Sequence, residues 1–186
     1  MNVLRTQNME TETFKVGDVI SFQLTDGEAV KAMAVKPEDD HMIFLFVDCL
    51  AKEYAMNEED SNRGGYIASD LRAALNGEIL DRFPEEIKSR MVPFATGDLL
   101  RLPTEKEIFG VNEYAEDESE GVTQFEPMKE RRNRIAFQGL EGAWEWYWLA
   151  NKRKGSASGF AYVHTNGLAT SRYASLPFGV RPAFKI

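Results

Sequence analysis

Cysteine is almost absent: Cys49 is the only one in 186 residues. One thiol excludes an internal disulfide and a thiolate metal cluster, and within the apolar run 42–50 it reads as a small buried hydrophobe. Histidine is nearly as scarce. His41 lies in an acidic turn and His164 beside a hairpin, and both are expected to face solvent. There is no phosphate-binding glycine loop, because Gly64-Gly65 is not followed by Lys-Ser/Thr. Nucleophile-elbow, His-Glu-x-x-His and paired-cysteine motifs are missing as well. The chain has no excess of positive charge: 22 basic against 30 acidic side chains give −8, which argues against nucleic acid as a partner. No apolar run approaches the roughly 20 residues of a membrane helix, so membrane insertion is not expected.

What is present has ordinary globular proportions, 43% apolar and 28% charged residues. The length suits one domain over 14–186 that buries roughly 70% of its unfolded surface, preceded by a polar, disordered tail at 1–13 that lacks a secretory signal. The expected location is cytoplasmic.

All three tryptophans stand at alternate positions in Trp144-Glu145-Trp146-Tyr147-Trp148-Leu149-Ala150. A period of two places the indoles on one face of a strand that is apolar on both sides, and so central in its sheet. The closing Gly179-Val180-Arg181-Pro182-Ala183-Phe184 reads as a second strand, with Pro182 forcing an edge or bulge. The two are expected to share one sheet. Arg181, inside an apolar strand, requires a carboxylate or backbone carbonyls as partners.

Strands are further expected over 19–24, 29–35, 42–50, 160–164 and 168–173. The Asp26-Gly27 and Asn166-Gly167 pairs mark hairpin turns, and 36–41 a turn. Ser69 caps a helix for which Gly77 is the expected stop, with continuation of its apolar face to Ile79 as the alternative, Pro84 opens a short helix over 84–91, and Thr104-Glu105-Lys106-Glu107 forms a capping box for a helix ending at Gly110. The acidic run 113–121 reads as a solvated loop, with a spacing that does not match a helix-loop-helix calcium loop. The basic run 128–134 is its expected counterweight. The fold class is α+β: mixed and antiparallel twisted sheets with a few short helices.

Tyrosine, tryptophan and arginine dominate contact energies at interfaces, and they crowd the last third of the chain. Trp144, Trp146, Arg153, Arg172 and Tyr173 are the candidate ligand-binding residues, with no catalytic residue, metal ligand or cofactor assigned. Trp148 belongs to the core.

Several segments resemble an uncharacterised bacterial and phage family. These are Tyr147-Trp148-Leu149, then Ala161-Tyr162-Val163 with a following Asn-Gly, and the closing Gly179-Val180-Arg181-Pro182-Ala183. Ser69-Asp70-Leu71-Arg72-Ala73-Ala74-Leu75-Asn76 is similar to that family's Ser-x-Leu-Arg-x-x-Leu-Asn helix, and 99–107 to its Leu-Leu-Ser-x-x-Glu stretch. The chain departs where the family has Arg-Ser after the tryptophan strand: Ala150-Asn151 stands there. The resemblance, over about 19–186, implies a relative of the C-type-lectin-like fold found in formylglycine-generating enzymes, with N- and C-terminal strands close together and a ligand face made by the loops before the closing strand. It implies a phage or prophage origin, with a phage particle as the alternative location; the aromatic and arginine-rich last third, without a catalytic signature, points to a non-enzymatic domain that binds a protein or glycan. An enzyme with a carboxylate-based site, and a structural particle subunit that assembles as an oligomer, are the other readings.

Overall fold

A computed structural model describes residues 14–186, so the tail expected at 1–13 lies outside the described residues. The architecture is α+β, with antiparallel sheets and short helices. Strands β1 (Val19–Gln23), β2 (Ala29–Glu38) and β3 (His41–Phe46) form a meander. The β1–β2 turn uses Asp26-Gly27, with Gly27 at a φ of 94° that a side chain would strain. β2 runs further than its sequence suggests. A bulge between Ala34 and Lys36 carries it to Glu38, leaving only Asp39 and Asp40 to turn.

Helices α1 (Asp70–Ala74), α2 (Glu85–Lys88), α3 (Glu105–Phe109) and α4 (Arg131–Arg134) are all short. Ser69 caps α1 by accepting from the Arg72 amide at 3.1 Å, and Thr104 with Glu107 closes the capping box of α3. Gly77 does not stop the first helix. It kinks it (φ −121°, ψ −107°), and the turn widens through Leu75–Ile79 because Leu75 and Ile79 continue the buried face.

Five more strands follow, with β4 (Ala136–Phe137) pairing β5 (Trp144–Glu145) and β6 (Tyr147–Lys152), β7 (Gly159–Val163) and β8 (Ala169–Tyr173) forming a three-stranded sheet. β9 (Ala183–Lys185) joins the first sheet beside β3, giving the order β1-β2-β3-β9. The N- and C-terminal strands thus share a sheet but occupy its opposite edges.

Period-two patterning feeds two cores at once. From β3, Met42, Phe44 and Phe46 enter one core, and Ile43 and Leu45 the other. β7 divides likewise: Phe160 and Tyr162 go one way, Ala161 and Val163 the other. That is why these runs are apolar throughout. In the first core Phe44 stacks on Phe184 at 5.5 Å, with Phe22, Phe46 and Phe83 around them.

Two expectations need correction here. The tryptophan ribbon is not a central strand: it breaks at Trp146 into β5 and β6, and β6 is an edge of its sheet. The ribbon and the closing strand also lie in different sheets. The closing segment crosses between them: Gly179 bridges Tyr147 in parallel, whereas Ala183 pairs with Leu45. Pro182 has no amide to continue the first pairing, and its carbonyl instead accepts from Phe46 at 2.9 Å. Arg181 fills the crossing point. Buried and with no carboxylate partner among the described residues, it donates to the carbonyls of Phe46 (2.6 Å) and Asn133 (3.0 Å) and to the Tyr147 hydroxyl (3.1 Å).

Candidate ligand-binding surfaces

The five candidate residues separate. Trp144, 67% exposed, stands on β5 opposite Phe137. Trp146 is half-buried against Phe178 (5.1 Å) and Tyr162 (5.7 Å), and His164 stacks on it at 5.3 Å rather than facing solvent freely. These lie at the Val163 end of β7. Arg153, Arg172 and Tyr173 lie at the Gly159 end, around a groove of ≈ 100 Å³ that Ser156 and Ser171 also line.

Register assigns their side chains. Gly159 pairs with Tyr173 and Phe160 with Arg172. Paired residues share a face and neighbours alternate, so the Arg172 side chain projects on the Phe160 side, opposite Tyr173. What Arg172 presents beside Gly159 is its carbonyl, 3.1 Å from where a Cβ at Gly159 would stand. Arg153 covers Gly159 from the other side: that Cβ would meet its Cβ and Cδ at 3.4 Å. The groove is therefore one exposed arginine, one tyrosine that is 53% exposed, two serines and a carbonyl.

The acidic run reaches this region without pairing with the basic run. Ala115 bridges Arg153, and Glu116 and Asp117 take Lys152 and Lys154 as partners, each at 3.3 Å. Arg131 and Arg134 spend their guanidinium groups on the carbonyls of Asn166 and Met128. The run is also anchored from below, where the buried Glu105 carboxylate accepts the amides of Tyr114 (3.0 Å) and Ala115 (2.8 Å). Among the described residues, no three His, Cys, Asp or Glu side chains converge to hold a metal ion, and no helix is long and apolar enough to cross a membrane.

Two features escaped the sequence reading. Burial, and then the hydrogen-bonded Glu53 carboxyl, push Glu145 up to about 7, next to Gly179 and the buried Cys49, whose thiol burial pushes far above its ordinary value. The second is a cleft of ≈ 700 Å³ between the end of β2, the 93–104 segment, α3 and β9. Two ion pairs face it: Arg101 bidentate on Glu107 (2.7 and 2.6 Å) and Lys185 on Glu38 (2.7 Å). Both cations lie over the Phe94 ring, at 4.4 and 5.5 Å. Arg101, between two buried leucines, was the local signal: a charge at a core-flanked position needs a partner. Tyr66 and Lys185 gave no such signal.

Comparison of the chain with protein-family models, with curated proteins and with solved structures finds no match.

Proposed function

We propose that this chain is a non-enzymatic binding domain that engages a protein or glycan through the loops of its last third, with Arg153 and Tyr173 as the contacting side chains. The observation that carries the reading is the groove over Gly159, where an exposed arginine and an exposed tyrosine share one face. Both residue types yield large contact energies per side chain, and the missing side chain at Gly159 lets Arg153 lie close over the strand. The lectin-like relationship and a phage or prophage origin belong to the same proposal. They rest on the Tyr147-Trp148-Leu149 and Gly179-Val180-Arg181-Pro182-Ala183 motifs. The carboxylate-site alternative has Glu145 and Glu53 to draw on, yet neither lines the groove or the cleft.

A glycan and surface-protein array tests this. The wild-type chain is expected to retain a specific ligand that the Arg153→Ala, Tyr173→Ala double variant loses at unchanged thermal stability. A ligand bound equally by both would contradict the assignment.

A further inference from the structure

The larger cleft offers chemistry that the groove does not. Its charges are already matched: Arg101 is held by Glu107 and Lys185 by Glu38, and the lysine keeps the Glu38 carboxyl below its usual range. Asp39, the third carboxylate of the lining, is exposed to solvent at the β2–β3 turn and is screened there, so the enclosed charges balance two against two and select no ionic ligand.

Unspent hydrogen-bonding capacity is what remains. The hydroxyl of the buried Tyr66 accepts the Leu102 amide at 3.1 Å, and among the described residues none accepts its own proton. The Thr104 hydroxyl accepts the Glu107 amide at 3.2 Å and likewise gives its own proton to no described residue. The Lys185 ammonium has three protons and gives one to Glu38. Donors thus stand beside carboxylates that still have lone pairs open, with Leu102 and Val122 as apolar wall.

A hydroxyl group both accepts and donates, and it carries no charge. It satisfies such a mixed lining where a carboxylate, phosphate or ammonium would leave like charges opposed. We infer that the cleft is a second binding site, separate from the groove, for an uncharged polyhydroxylated small molecule held by Tyr66, Thr104, Lys185, Glu38 and Glu107. The volume is in the usual range for small-ligand sites.

The test is an amide NMR titration of the full chain with D-glucose and with myo-inositol, beside sodium sulfate and benzamidinium chloride. At least one of the two polyols is expected to give saturable shifts at Leu102, Thr104 and Glu107, whereas neither ion shifts them. Tyr66→Phe is expected to weaken the polyol about fivefold, the loss of one neutral hydrogen bond. Because that variant also removes the Leu102 acceptor, Val122→Trp is the second arm: it fills the cleft from a half-buried loop position and is expected to abolish the shifts. Arg153→Ala is expected to leave them unchanged, so failure here and failure of the groove reading are told apart. Absence of saturable polyol shifts, shifts that survive Val122→Trp, or preferential binding of either ion would overturn the inference.

Discussion

Arg181 and Arg153 show what position does to one residue type. Arg181 sits where two sheets meet, and two backbone carbonyls and a tyrosine hydroxyl replace its water. The field of those dipoles, and the Tyr147 ring 5.2 Å away, offset the desolvation of a charge that forms no ion pair among the described residues. Arg153 keeps its water and is free to exchange it for a ligand. Glu145 is the third instructive residue. Its folded carboxyl, raised to about 7 from an ordinary 4.5, takes up a proton that the unfolded chain releases over that interval. Its protonation therefore adds stability in full below 4.5 and loses it as pH rises through about 7. Chemical denaturation of wild type and Glu145→Gln from pH 4 to pH 8.5 is expected to show wild type losing stability relative to the variant across that window; parallel curves would contradict it.

At the scale of elements, the closing segment depends on Gly179. A Cβ there would lie 2.6 Å from Glu145 Cγ, 2.7 Å from the Sγ of the buried Cys49 and 2.8 Å from the Trp146 carbonyl oxygen. Gly179→Ala is expected to cost about 1–3 kcal/mol, read as a lower urea midpoint at unchanged m-value. The elements legible in the sequence were those fixed by neighbours. Asp26-Gly27, Asn166-Gly167, the Ser69 cap and the Thr104–Glu107 box depend on residues within four positions of one another, and each stands as expected. The stop at Gly77 did not, because burial of Ile79 outweighs a local preference. Alternation alone sets Arg172 and Tyr173 on opposite faces, and strand register, which the sequence leaves open by one residue, decides that Tyr173 is the one on the Gly159 face.

At the scale of the molecule, two cores share strands whose residues alternate between them, so apolar runs mark the interior without saying which sheet a strand joins. The closing strand was legible as a strand, but its change of sheet was not. The cleft lay further out of reach: Glu38 and Lys185, paired across it, are 147 residues apart. The groove was partly legible, since Tyr173 stands out among small residues and Arg153 lies in a basic loop. The fold divides its arginines between interior supports and an exposed contact face. Hydrogen exchange at the arginine Nε–H groups, followed by two-dimensional NMR at neutral pH, distinguishes the two. Arg181 is expected to give a persistent, slowly exchanging signal and Arg153 to exchange at the rate of a free side chain; equal protection of the two, or rapid exchange at Arg181, would contradict this division.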